Sequence, residues 1–314
     1  MTSIGLFQTP EEIAQRVRRH LSSSSASLSQ GRSHCSGLVE VGGKAFFVKL
    51  CKDQRRLPRL QNEHCWLKVV HSLDPEIVPR PIAFEKPGLP GLEAFLVIEP
   101  APGRPLVDCL NQKKNSLSQA ERRTLLISYG RLLARFHALP SRSTAIRFDG
   151  EVWSDWKTFV IQGIDRYLQD IRRFGGKLSA DDVARIRSIV SETSRSMTLE
   201  PLGPIHGDAT PWNVLVDPRG FRLIDLEVTH HGDPLMDLSI AGLLWLDRRP
   251  SQWEYFLCGY GLELNSTRKR IMDLYRVARL VRLLRGKIWI HNDRRGFAAV
   301  QRRLSKFLEN ISNR

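Results

Sequence analysis

Apolar residues recur along this chain with two different periods, and the change between them divides it. Leu38-Val39-Glu40-Val41 and Lys44-Ala45-Phe46-Phe47-Val48-Lys49-Leu50 flank Gly42-Gly43, a pattern that predicts a β-hairpin. Ala94-Phe95-Leu96-Val97-Ile98 is uninterrupted and reads as a buried strand, while Glu63 to His71 has a helical pattern. Glu99-Pro100-Ala101-Pro102-Gly103 then breaks the regular pattern and reads as a hinge. Past it the helical period takes over. Gln119 to Leu139 carries Leu125, Leu126, Tyr129, Leu132, Leu133 and Phe136 on one face, which predicts a long amphipathic helix. Further helices are expected over Trp156–Phe174, Ala180–Ser194, Leu235–Leu246, Gln252–Tyr260, Thr267–Ile290 and Arg295–Asn310. At the start, Thr9-Pro10-Glu11-Glu12 offers a cap, a first-turn proline and a capping-box glutamate, so a helix should run to Leu21 and end in the connector Ser22–Ser25. The expected fold is α+β and two-lobed: a small β-rich lobe over 1–100 and a larger, mainly helical lobe over 101–314, an architecture that suits a cleft enzyme. No internal repeat is visible.

One β-rich interruption lies inside the helical half, and it carries the chemistry. Val214-Leu215-Val216 and Phe221-Arg222-Leu223-Ile224 flank the turn signal Asp217-Pro218-Arg219-Gly220, predicting a second hairpin. Asp208 and Asn213 fall on the loop that enters it and Asp225 on the loop that leaves it, so the hairpin brings entry and exit together. Phosphoryl transfer from ATP needs this inventory. One carboxylate orients or deprotonates the attacking hydroxyl, while an amide and a second carboxylate hold Mg²⁺, a cation served by oxygen ligands, on the phosphates.

His206-Gly207-Asp208-x4-Asn213, then Ile224-Asp225-Leu226-Glu227, then Gly232-Asp233-Pro234-x2-Asp237-Leu238 resembles the aminoglycoside phosphotransferase and choline kinase family, which shares the protein-kinase fold. Gly130-Arg131-Leu132-Leu133-Ala134-Arg135-Phe136-His137 is similar to the family's first long C-lobe helix, so the resemblance extends from about Leu28 to Leu246. It implies that Asp208 is the catalytic base, that Asn213 and Asp225 are metal ligands, and that His206 braces the loop. It implies that Lys49 contacts the α- and β-phosphates with Glu63 as its ion-pair partner, although a surface Lys–Glu pair is the bland reading of those two residues alone. Glu99 and Ala101 match the hinge, where backbone groups would bind adenine. The cofactors implied are ATP and Mg²⁺. Two departures stand out. Gly31-Arg32-Ser33-His34-Cys35-Ser36-Gly37 occupies the phosphate-covering position without GxGxxG, and neither DFG nor APE is present, which argues against an ordinary protein kinase. Asp233 and Asp237 read as structural, meeting the free N–H groups where a helix opens. His230 and His231 lack metal-ligand spacing. Glu227 either faces a second metal or caps the next turn, and Trp212 either packs under the loop or lines the acceptor site.

Charge narrows the acceptor. The net charge is +15, and Ser266 to Arg314 holds 14 Lys/Arg against Asp273, Asp293 and Glu309. The bland reading is a solvated basic helix face interleaved with an apolar stripe. The functional one is an anion-binding surface, with no zinc-finger or RNA-recognition signature to point at specific nucleic acid. Family members that bind polycationic aminoglycosides present an acidic pocket. A basic chain therefore leans toward a neutral or anionic hydroxyl acceptor, such as a sugar or a glycan or lipid-linked precursor, ahead of an aminoglycoside or choline. Two alternatives remain: an aminoglycoside-type antibiotic kinase, and a catalytically idle kinase-like binding protein. The joint presence of Lys49, Glu63, Asp208, Asn213 and Asp225 weighs against the idle reading. No secretory signal or apolar span of about 18 residues is visible, and the five scattered cysteines lack a CxxC pair. The expected location is the cytoplasm, with the basic region offering a route to the membrane periphery.

Overall fold

The computed structural model describes residues 9–23, 29–30, 35–41, 43–111, 117–140, 146–148, 151–153, 155–197, 202–243 and 250–312. They form two compact units, Met1–Leu139 with Pro211–Thr229, and Pro140–Thr210 with His230–Arg314.

The first unit is built on a five-stranded antiparallel sheet in the order Ser29–Gln30, Cys35–Val41, Lys44–Cys51, Ala94–Ile98, Pro81–Glu85. The predicted hairpin is its centre: Val41 pairs with Lys44 and Val39 with Phe46, and Gly43 closes the turn at φ 74°. Strand alternation sorts the side chains. Val39, Val41, Phe46, Val48 and Leu50 point into a core shared with Phe95, Val97 and with Ile13 and Val17 of the first helix. Each such burial contributes about 1.5–3 kcal/mol. Lys49 necessarily projects to the other face, against which the helix Leu57–Leu73 packs. The first helix, Pro10–Ser23, begins with the capping box read from the sequence: the Glu12 amide donates to Thr9 Oγ1 (3.2 Å) and the Thr9 amide to Glu12 Oε2 (3.0 Å). It runs two residues past the expected end. Of the serine connector, Ser24 and Ser25 lie outside the described residues, as do Gly31–His34 of the phosphate-covering stretch.

The long amphipathic helix spans Gln119–His137, started by a capping box between Ser118 and Glu121. Five of its six predicted apolar positions are buried; Leu125 is half-buried. The second hairpin, Val214–Asp217 with Gly220–Leu223, forms as expected and gains a third strand, Arg104–Pro105. That extra pairing explains Gly103. Its φ is 119°, and a Cβ there would meet the Val216 carbonyl oxygen at 2.6 Å, so only glycine lets the strand approach.

The second unit is mostly helical: Trp156–Arg173, Ala180–Thr193, Leu235–Ala241, Pro250–Tyr260, Ser266–Arg285 and Arg294–Ser312. Ser266–Arg285 is its axis, packing on the helices Trp156–Arg173, Ala180–Thr193, Leu235–Ala241 and Arg294–Ser312 through buried residues such as Met272, Tyr275, Leu280 and Leu284. The predicted helix to Ile290 is α-helical only to Arg285, and Gly286–Ile290 is a π-helical turn. Likewise the helix from Leu235 is α-helical only to Ala241; Gly242 and Leu243 leave the α-helix, and 244–246 fall outside the described residues. Two short ladders had no sequence signal: Gly203–Ile205 with His230–Gly232, and Ile146–Phe148 with Glu151–Trp153. Three-residue strands are too short to display a period of two. The fold is thus α+β, with a β-rich N-terminal region and a mostly helical C-terminal region, as the pattern predicts.

Candidate active site

In the first unit, strand Lys44–Cys51 and helix Leu57–Leu73 bring Lys49 and Glu63 together. The Lys49 ammonium donates to both Glu63 carboxylate oxygens at 2.7 and 2.8 Å and to Asp225 Oδ1 at 2.7 Å. Glu63 is buried and the lysine nearly so. Burial works against the ammonium, but the Glu63 and Asp225 charges and their hydrogen bonds outweigh it and raise its pKa above the ordinary lysine value. Burial raises the Glu63 pKa, against the opposing pull of the ammonium. Asp225 itself stands at φ 66°, ψ 56°, left-handed backbone that aspartate tolerates better than most residues. The turn it opens, Leu226–Val228, is anchored to the same helix: the Asn62 side-chain amide donates to the carbonyls of Glu227 (3.2 Å) and Thr229 (2.9 Å). One helix therefore supports both ends of the triad.

In the second unit, Asp208 follows the strand Gly203–Ile205. Gly207 takes φ 73°, a turn that presents Asp208 beyond the strand end. The turn is gripped from below by Asp237, a fully buried carboxylate that accepts from the His206 amide (2.6 Å) and the Gly207 amide (2.8 Å). His206, also fully buried, accepts from the Asp208 amide through Nδ1 at 3.3 Å. Asp233 completes the support by accepting from the Leu235 amide (2.8 Å) and the Tyr275 hydroxyl (2.6 Å), and that hydroxyl accepts from Trp156 Nε1 (2.7 Å). The structural reading of both aspartates holds with one refinement. Asp233 accepts from the first amide of the following helix, whereas Asp237 serves the Asp208 loop. The Asp208 carboxylate receives the Arg279 guanidinium at 2.5 Å, a contact absent from the sequence reading. One signal could have found it: Arg279 continues the buried face of Met272 and Tyr275, where an arginine needs a partner.

Asn213 ends the turn Pro211–Asn213, and its carbonyl accepts from the Ile224 amide at 3.0 Å, which ties it to the residue before Asp225. Asn213 and Asp225 are oxygen donors of the kind Mg²⁺ takes. No cluster of three or more His, Cys, Asp or Glu is preassembled among the described residues, so waters and phosphate oxygens would complete such a shell. Glu99 has an exposed side chain 4.0 Å from Arg80, and its amide donates to the Arg80 carbonyl. Lys49 pairs across the sheet with Leu96, so Glu99 lies three residues further, about 10 Å along the strand, and Ala101 is half-buried just beyond. Glu227 is half-buried, 3.7 Å from Arg59, and Trp212 is half exposed.

A buried lysine bridging two carboxylates and a braced aspartate loop, on an α+β fold of this kind, define a kinase-type phosphotransferase. The chain belongs to the phosphotransferase enzyme family, whose model matches residues 26–293. No protein of curated function matches the sequence. Three solved structures illustrate the fold it shares. A thermostable mutant of aminoglycoside phosphotransferase APH(4)-Ia, in ternary complex with AMP-PNP and hygromycin B, has a TM-score of 0.72 at 16% identity over 93% of this chain and 97% of that one. The GDP and kanamycin complex of APH(2")-IIia has a TM-score of 0.71 at 15% identity, covering 95% and 98%. A choline/ethanolamine kinase family protein from Mesorhizobium loti has a TM-score of 0.61 at 16% identity, covering 95% of each chain. The fold is protein-kinase-like, and no described helix is long and apolar enough to cross a membrane.

Proposed function

We propose that this phosphotransferase moves the γ-phosphoryl group of ATP to a hydroxyl of a neutral or anionic small molecule, with Asp208 as the base. The observation that carries the reading is the Lys49–Glu63–Asp225 triad. It holds an ammonium, favoured by two carboxylates, where phosphate oxygens would need it, and it ties down Asp225, the carboxylate expected to meet the metal. Glu99 and Ala101 lie from Lys49 at about the span of a nucleotide from phosphate to base, which supports adenine binding by the backbone there. Nucleotides bound to the two aminoglycoside phosphotransferases named above support the same assignment. Mg²⁺ held by Asn213 and Asp225 would neutralise phosphate charge.

The chain's own groups do the rest by position and electrostatics. Asp208, aimed by the clamped His206–Gly207 backbone and by Arg279, takes the proton of the acceptor hydroxyl. A bond forms from that oxygen to the γ-phosphorus, the bond from the γ-phosphorus to the bridging oxygen breaks, and ADP leaves. Lys49 steadies the non-transferred phosphates. A second reading, an aminoglycoside kinase, is favoured by the hygromycin B and kanamycin of those structures. A screen of neutral, anionic and polycationic hydroxyl compounds with γ-labelled ATP separates the two. Label transferred to neutral or anionic acceptors supports the proposal, and transfer to aminoglycosides alone establishes the second reading. The screen is also open to location: fractionation that recovers the protein from the cytoplasm, with or without membranes, tests the expectation drawn from the sequence.

A further inference from the structure

The second unit contains a pocket beside the Asp208 loop. Among the described residues its lining includes Gly207, Phe148, Phe159, Arg279 and Arg282, and no Asp or Glu. The rings are packed edge to face, Phe148 on Phe159 at 5.7 Å. Along the helix Ser266–Arg285 the neighbouring arginines are neutralised locally: Arg276 by Asp273 (3.1 Å), Arg279 by Asp208 (2.5 Å) and Arg285 by Asp170 (2.6 Å). Arg282 differs. It stands one turn from Arg279 on the same face, has no carboxylate partner among the described residues, and lies over the Phe148 ring at 4.9 Å. Arg279 in turn has a buried Nε–H without a hydrogen-bond partner. Burial lowers the Arg279 pKa, Asp208 opposes that, and the Arg282 charge adds to the lowering. Arg282 thus adds a positive charge beside the Arg279–Asp208 pair, and a charge held against apolar surface is costly unless an anion joins it.

We propose that this pocket takes the acceptor, and that the acceptor is a hydroxyl compound bearing an oxyanion, a carboxylate or a phosphate ester, on an aromatic or apolar body. This rests on the kinase reading and sharpens its substrate class. The planar guanidinium fork matches either oxyanion. The position beside Gly207 leaves the hydroxyl next to Asp208. A cation could also be held by aromatic faces. Here, however, the Phe148 face already carries Arg282, whose charge repels a second cation.

The test uses the full chain and calorimetric titration with four matched probes: para-(hydroxymethyl)benzoate, para-(hydroxymethyl)phenyl phosphate, the neutral benzamide, and the benzyltrimethylammonium analogue. The unaltered protein should bind one or both anions at least about tenfold more tightly than the amide, with the cation weakest. The stronger anion identifies the source of the charge. Arg282→Gln should abolish the preference, and Arg282→Lys should restore part of it. No preference for anions, tighter binding of the cation, or a preference unchanged in Arg282→Gln would overturn the inference. ATP binding is measured on the same samples. Anion selectivity without ATP binding sinks the kinase reading and leaves only an anion pocket, whereas ATP binding with cation selectivity sinks this inference alone.

Discussion

Asp237 is the residue on which the position of the Asp208 loop most directly depends. Its carboxylate is fully buried and accepts two backbone amides, from His206 at 2.6 Å and Gly207 at 2.8 Å, 31 and 30 residues away in sequence. Charge-assisted bonds of this kind contribute about 1.5–3 kcal/mol each. Asp237→Ala strands both amides in a space too apolar to replace them, so the loss should be about 3–5 kcal/mol after partial relaxation. For a chain of this size that lowers the melting temperature by about 5–8 °C. Asp237→Asn keeps one acceptor but turns an N–H₂ toward the other amide, and should lose more than half as much. Urea unfolding followed by circular dichroism and tryptophan fluorescence measures the loss. Turnover at a temperature where the variant is folded should fall further than ATP affinity, because the loop that aims Asp208 is loosened while Lys49 and Glu63 lie elsewhere in the fold. An Asp237→Ala protein within about 0.5 kcal/mol of the unaltered chain would refute the clamp.

Three other outcomes follow from the same geometry. Tyr275→Phe removes the hydroxyl between Asp233 and Trp156 and leaves both buried partners unmatched, so a loss of about 2–4 kcal/mol should appear in the same unfolding assay. Lys49→Ala leaves Glu63 and Asp225 uncompensated, and should weaken ATP binding at least about tenfold by calorimetry. Because the Lys49 pKa is raised, its stabilising contribution is fully present below lysine's ordinary pKa and is lost only as pH rises through the higher folded value. ATP affinity should therefore not fall between about pH 8 and 10 through this group; a decline there that vanishes in Lys49→Ala would contradict the assignment.

Much of this was legible because it depends on local order. The turn Asp217-Pro218-Arg219-Gly220 between two apolar runs specifies a hairpin, and a hairpin must return the chain to Asn213, as the Ile224–Asn213 bond shows. Strand alternation places Lys49 opposite the core residues Val48 and Leu50, on the face where the following helix can offer Glu63. What escaped the sequence depends on tertiary reach. Asp237 reads as a helix-start carboxylate, and nothing local shows that it reaches back to His206. Arg279 is one of 14 basic residues in a tail region that reads as a collective charge, whereas its partner, Asp208, is 71 residues away. The strand His230–Gly232 pairs with Gly203–Ile205, but three residues carry no period.

The central claim is that Asp208 serves phosphoryl transfer rather than nucleotide binding. The most direct measurement compares the intact protein with Asp208→Ala, reading transfer of label from γ-labelled ATP to a hydroxyl acceptor found by the screen, and ATP affinity by calorimetry on the same preparations. Transfer should fall by at least about a thousandfold with ATP affinity within a few fold. Near-normal transfer by Asp208→Ala, or loss of ATP binding in proportion to loss of transfer, would contradict it.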